Sequence, residues 1–154
     1  MDCDYIVIRD HFDTVKMVSW DDVVLKIDSE FRDKTIKVIG SSSTGLPSFL
    51  LRNIFHPTTL GAAYNEVEAE TNISEMHTYV SFGESSGTFG RHCDEVDVLI
   101  VQSIGSVSYN FDDGKTVKLD PGDSLYIKRG VYHEPVVHGP RVTLSFSWLV
   151  ETPF

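Results

Sequence analysis

The chain has 154 residues, 41% hydrophobic and 23% charged, with a formal net charge of −10. That length and mix fit one folded domain, 1–154, with a real core, and exclude a disordered chain. The acidity argues against nucleic acid or an anionic membrane as partner, since both select a basic patch.

Much of the negative charge lies in the first third (Asp2, Asp4, Asp10, Asp13, Asp21, Asp22, Asp28, Glu30, Asp33) and reads as a solvated face. Residues 19–32 read as a helix, with Ser19 as N-cap, Asp22 as the capping-box acid, and Val23, Val24, Ile27 and Phe31 at helical spacing. A short strand is predicted at 35–40, a Ser/Gly/Pro-rich loop at 40–49 and a second helix at 58–70.

The texture changes near residue 76. Short segments rich in Val, Ile, Tyr, Phe and Ser follow at 77–82, 97–104, 106–111, 116–119, 124–128, 133–138 and 141–150. Gly105, Asp112-Asp113-Gly114, Asp120-Pro121-Gly122-Asp123, Gly130 and Gly139-Pro140 punctuate them. Such spacing predicts a mainly β sandwich or barrel over 76–150, for which a double-sheet jelly roll fits, with the elements of 1–75 packed on one outer face. In 141–150, Val142, Leu144, Phe146, Trp148 and Val150 form an apolar face that turns to the N-terminal elements. Arg141, Thr143, Ser145 and Ser147 then face the interior of the roll.

Two cysteines, Cys3 and Cys93, give no disulfide framework, no apolar run reaches membrane-spanning length, and acids stand where a signal peptide needs a basic start. The expectation is a cytoplasmic protein. Unpaired edge strands of a roll favour a homodimer.

The stretch 90-GRHCDEVDVLIVQ-102 places His92 and Asp94 two residues apart ahead of an aliphatic run, which on a strand puts both on one face. An imidazole and a carboxylate suit a borderline divalent ion. His133, after the 121–122 turn, a strand and Gly130, is the candidate for a second imidazole, completing a two-His-one-carboxylate set with open positions. The same ligands accept Mn, Co, Ni or Zn. His11, His56 and His138 read as surface histidines, whereas His77 shares a face with Tyr79 and could line the same cavity. A buried Arg141 needs an anion: either a ligand carboxylate held in a bidentate fork or an acid of the chain such as Glu134.

The run 90–102, the LDPGDSLYI turn and strand, His133 and the terminal LSFSW strand together resemble the JmjC-like cupins related to ribosomal oxygenases, over roughly residues 76–150. The resemblance implies a double-stranded β-helix and an Fe(II)- and 2-oxoglutarate-dependent oxygenase, commonly a hydroxylase, with His92, Asp94 and His133 as iron ligands. Many members bind the far carboxylate of 2-oxoglutarate with a base on the strand after the HxD strand, but 105-GSVSYNF-111 has none. Arg141 with Thr143 is similar to the alternative arrangement on the last strand. The resemblance also makes Tyr79 a cosubstrate-contacting residue and Tyr109 and Tyr126 lining residues. Typical ribosomal oxygenases carry dimerisation and winged-helix regions for which this sequence has no room, so a small molecule, an amino acid or a peptide side chain is equally open as substrate. A cupin enzyme using its metal without 2-oxoglutarate, and a non-catalytic metal- or ligand-binding cupin, are the alternatives.

Overall fold

The computed structural model describes residues 3–41 and 43–148. Ten strands and two helices follow in chain order: β1 (Tyr5–Ile8), a 3-10 turn (Thr14–Met17), α1 (Trp20–Asp33), β2 (Lys37–Ile39), β3 (Ser48–Leu51), α2 (Thr58–Thr71), β4 (Glu75–Ser81), β5 (Val98–Ile104), β6 (Val107–Phe111), β7 (Thr116–Leu119), β8 (Ser124–Ile127), β9 (His133–Val137) and β10 (Arg141–Ser147). They build a seven-stranded sheet ordered β1-β8-β5-β10-β4-β3-β2 and a three-stranded sheet ordered β7-β6-β9. Among the described residues, neighbouring strands pair antiparallel. This is the jelly-roll sandwich that the strand spacing predicts.

The alternation on β10 decides which face goes where. Val142, Leu144 and Phe146 are fully buried and pack with Val15, Val23, Leu60, Ala63 and Val67, so the helices cover the outer face of the large sheet as expected. Truncating Phe146 to Ala there costs about 3–5 kcal/mol. Between the sheets lies a second core of Val98, Ile100, Val107, Tyr109, Phe111, Leu119, Leu125 and Ile127. Trp148 packs against the helix-side cluster and donates from Nε1 to the Thr71 carbonyl (3.0 Å), while Val150 lies outside the described residues.

Gly105 closes the β5–β6 turn at φ 69°, and a Cβ there would stand 2.2 Å from the Pro140 carbonyl oxygen. Only glycine fits, and the close approach fixes where β10 begins, and hence where Arg141 sits.

The helix starts refine the expectation. Ser19 Oγ accepts from the Asp22 N–H (3.2 Å), so it is the N-cap. The capping box is not closed, however. Asp22 turns its carboxylate to Thr59 of α2, accepting from its N–H (2.8 Å) and hydroxyl (2.5 Å), and the Ser19 N–H donates to Thr59 Oγ1 instead. Val24 and Phe31 are exposed, and the buried face of α1 includes Lys26 and Glu30. Glu30 thus departs from the solvated acidic face: it accepts from Lys26 (3.3 Å), Thr35 (2.8 Å) and the N–H groups of Arg52 and Asn53. β1, and β3, which overlaps the end of the predicted 40–49 loop and runs on to Leu51, are additions that sequence reading missed.

Candidate metal and anion site between the sheets

The large sheet directs alternate residues into the space between the sheets. Tyr79 on β4, Val98 and Ile100 on β5, and Arg141, Thr143 and Ser145 on β10 meet Tyr109 of β6 and His133 and Pro135 of β9 around one open pocket. Ile39 and the connection before β5 supply the rest of the wall: Thr88, Phe89, His92 and Asp94.

His92, Asp94 and His133 come together, with one ligand atom of each within 4.8 Å of the others. His133 Nε2 lies 3.5 Å from Asp94 Oδ2, and His92 Nε2 lies 3.9 Å from Asp94 Oδ1. The route differs from the expectation. His92 and Asp94 are not neighbours on one face of β5, which starts only at Val98. They lie in the preceding loop, which is drawn onto β9 by an isolated antiparallel bridge between His92 and His133. The bridge adds His92 to the edge of the small sheet, next to β9.

Both imidazoles are oriented by the main chain. His92 Nδ1 meets the Gly90 carbonyl (2.8 Å) and His133 Nδ1 the Val131 carbonyl (2.9 Å). A carbonyl only accepts, so each Nδ1 donates to it, and in a neutral ring this leaves Nε2, on the Asp94 side, as the nitrogen with the lone pair. Burial, with His92 adding to it, pulls the His133 pKa below the ordinary imidazole value, which favours the neutral ring that a metal requires.

Deeper in the pocket Arg141 is 3% exposed. Its Nε donates to Ser81 Oγ (2.8 Å) and its Nη1 to Thr143 Oγ1 (2.9 Å), and its guanidinium lies 5.6 Å from the centre of the Tyr79 ring. Thr143 in turn donates to Gln102 Oε1 (2.8 Å), whose amide nitrogen is held by the carbonyls of Ile104 and Gly105. Among the described residues no carboxylate pairs with Arg141; Glu134 is exposed and stands on the other sheet. Burial pulls the guanidinium pKa down. Burial likewise raises Tyr79 to about 12 and raises Tyr109, so both phenols are neutral donors at neutral pH.

Two expected contributors are elsewhere. Tyr126 points to the helix side of the large sheet, because its neighbours Leu125 and Ile127 take the inner face; its hydroxyl donates to Asp97 (2.9 Å). His77 does not line the pocket and pairs with Glu75 (2.6 Å). Of the histidines read as surface residues, only His138 is exposed. His11 is tucked between Ser124 (2.6 Å) and Glu70 (2.5 Å), and His56 is half-buried with an unpaired Nδ1. Sequence reading missed Ser81, Gln102 and Phe89. Gln102 carried a signal, as a lone amide inside the run VLIVQSI; Phe89, edge-on to both Tyr79 (6.3 Å) and His92 (6.2 Å), carried none.

No protein-family model matches the chain, and no curated protein is significantly similar to it in sequence. Among solved structures, it is similar to YcfD, a ribosomal oxygenase from Escherichia coli, in complex with cobalt and 2-oxoglutarate: TM-score 0.70, 19% identity, covering 96% of this chain and 48% of that one. The YcfD complex with cobalt and succinic acid matches with the same figures, and a further YcfD structure at TM-score 0.70 and 20% identity. The chain thus spans about half the length of these structures. No helix is long and apolar enough to cross a membrane. At 19–20% identity the likeness shows a shared fold, the jelly-roll sandwich that the strand spacing and the sequence resemblance both imply.

Proposed function

We propose that this chain is an Fe(II)- and 2-oxoglutarate-dependent oxygenase that hydroxylates a small molecule, an amino acid or a peptide side chain. The observation that carries the proposal is the pairing, in one pocket, of a His-His-Asp cluster with a buried arginine that has no acid partner among the described residues. A ligand with a chelating keto acid at one end and a carboxylate at the other matches both.

The donor set fits a divalent iron: two imidazole Nε2 atoms, each ring oriented by a carbonyl at Nδ1, and one carboxylate, a two-His-one-carboxylate set that would leave positions open for ligands. His92, Asp94 and His133 would hold the iron, which would supply activation of O2, coupled to conversion of 2-oxoglutarate to succinate and carbon dioxide, for hydroxylation of a C–H bond.

The protein's own part is binding and orientation. Arg141 Nη2, which has no hydrogen bond among the described residues, holds the distal carboxylate. Ser81 and Thr143 set the plane of the guanidinium. Thr143 has its single proton engaged by Gln102, so it orients Arg141 rather than donating to the cosubstrate. The neutral hydroxyls of Tyr79 and Tyr109 line the same pocket as donors. Phe89, at the solvent side, limits water entry. The ribosomal oxygenases among the structural neighbours favour a peptide side chain within the substrate range.

Anaerobic titration of the protein with Fe(II) and 2-oxoglutarate tests this reading. The expected result is a weak visible charge-transfer band in the wild type that is largely lost in Arg141→Ala, and succinate release under air. Iron binding with no band and no succinate would overturn 2-oxoglutarate use and leave a cupin that employs its metal another way.

A further inference from the structure

The turn that precedes His133 is tied to the loop that carries His92 and Asp94 at three points. Residues 128–131 form a tight turn, with Val131 N–H donating to the Lys128 carbonyl (3.2 Å) and Gly130 at φ 78°. Gly130 N–H donates to the Asp94 carbonyl (2.9 Å). His92 and His133 exchange main-chain hydrogen bonds (3.0 and 2.8 Å). The third tie is a side chain: Asp97 Oδ1 accepts from the Arg129 N–H (2.8 Å), and its Oδ2 accepts from the Tyr126 hydroxyl (2.9 Å). Arg129 Nε approaches the same carboxylate at 3.4 Å.

Asp97 does not line the pocket, and its side chain is 27% exposed. Burial works against its charge, but the bonds from Arg129 N–H and Tyr126 outweigh it and keep the carboxyl below the usual range. What it holds is the backbone of the turn, and that turn presents the Val131 carbonyl to His133 Nδ1.

We propose that Asp97, braced by Tyr126, is a positioning residue for the metal centre. It clamps the 128–131 turn onto the HxD loop, so that the Val131 carbonyl keeps the His133 Nε2 lone pair aimed at the Asp94 side of the cluster. The inference rests on the metal reading above. A partner that orients a ligating histidine is typically worth 10–100-fold in metal affinity. Here that partner is a main-chain carbonyl, so the anchoring of its turn carries the effect. A charged acceptor on a main-chain N–H is a strong anchor.

The test is titration of the full chain with Co(II) alone, following its visible absorption, in wild type, Asp97→Ala, Tyr126→Phe and Val67→Ala. Val67 is fully buried on the helix side and serves as a stability control. Asp97→Ala is expected to weaken Co(II) binding by about 10–100-fold and to shift the Co(II) spectrum. Tyr126→Phe, which loses one hydrogen bond, is expected to weaken it by about fivefold. Val67→Ala lowers Tm and keeps the wild-type Kd and spectrum. A folded Asp97→Ala with wild-type Kd and spectrum overturns the clamp; if that variant does not fold, an unchanged Tyr126→Phe does so. An equal loss of affinity in Val67→Ala also overturns it, because the effect is then general softening. A wild type that binds no Co(II) overturns the metal reading, and the clamp with it.

Discussion

His92 and His133 are locked to each other through the main chain: the N–H of each donates to the carbonyl of the other, at 3.0 and 2.8 Å. Nothing in this bridge depends on the imidazoles, so the backbone holds the two ligand positions together before any ion arrives. A ready-made site binds only in the folded state, and a bound ion then adds to stability by mass action.

The first prediction follows from that. Mn(II) or Co(II) at about 100 times its Kd is expected to stabilise the wild type by about 2.7 kcal/mol. His92→Ala and Asp94→Ala are expected to lose this stabilisation while unfolding near the wild-type Tm without metal, since the main-chain bridge remains. Thermal unfolding with and without metal is the measurement.

Arg141 gives a prediction of opposite sign for binding and stability. A buried guanidinium with no carboxylate partner among the described residues is costly, and replacing even a paired buried charge by apolar residues of similar size is often neutral or stabilising by about 1–4 kcal/mol. Arg141→Met is therefore expected to raise Tm in the absence of ligand, and to lack the 2-oxoglutarate-dependent rise in Tm that the proposed function predicts for the wild type. A Met variant less stable than the wild type would mean that the bonds to Ser81 and Thr143 outweigh the cost of burial.

The ion pair between Lys26 and Glu30 is fully buried under the loop 52–55. Lys26 Nζ also donates to Asn53 Oδ1 and the Phe55 carbonyl, both at 2.7 Å, so it ties α1 to that loop. Glu30→Ala is expected to cost about 3–5 kcal/mol, because it leaves a buried ammonium without its counter-charge. Chemical denaturation with a two-state fit reads the loss, and a cost under 1 kcal/mol would sink the idea.

His56 sets a pH dependence of stability. Burial, with the nearby Lys26 ammonium adding to it, lowers the pKa from 6.5 to about 4. Between those values the unfolded chain binds a proton that the folded chain does not, so stability present above pH 6.5 falls as the pH drops toward 4. The Tm of the wild type is expected to fall more steeply between pH 7 and 5 than that of His56→Phe, which keeps the ring against Tyr64 (5.5 Å in the wild type) and cannot protonate. Equal slopes would show that His56 does not titrate with folding.

How much of this was legible in the sequence depends on how local the cause is. The alternation Arg141-Val142-Thr143-Leu144 carried its own orientation, since a strand with one apolar face must bury it, and Arg141 was thereby aimed inward. Tyr126, which only the resemblance made a lining residue, lies on the opposite face from Leu125 and Ile127: an aromatic ring fits either face, and the packing of α1 and α2 on the large sheet gave the outer side an apolar home. His77 was similarly ambiguous, being on the inner face yet satisfied locally by Glu75. Phe89 had no pattern at all, because it sits in a connection held by contacts distant in sequence.

The sequence by itself determined the strand periodicity, the turns that separate the strands, and which residue types were available for a metal and an anion. Those depend on neighbours one to four residues apart, where sterics and side-chain alternation act directly. The tertiary structure alone decided that His92 and Asp94 reach the site from a loop rather than a strand, through a main-chain bridge to His133 some forty residues on. It also decided that, among the described residues, Arg141 has no acid to pair with. Both are outcomes of closing two sheets over one pocket, and closure is set by the whole packed core rather than by any local stretch of chain.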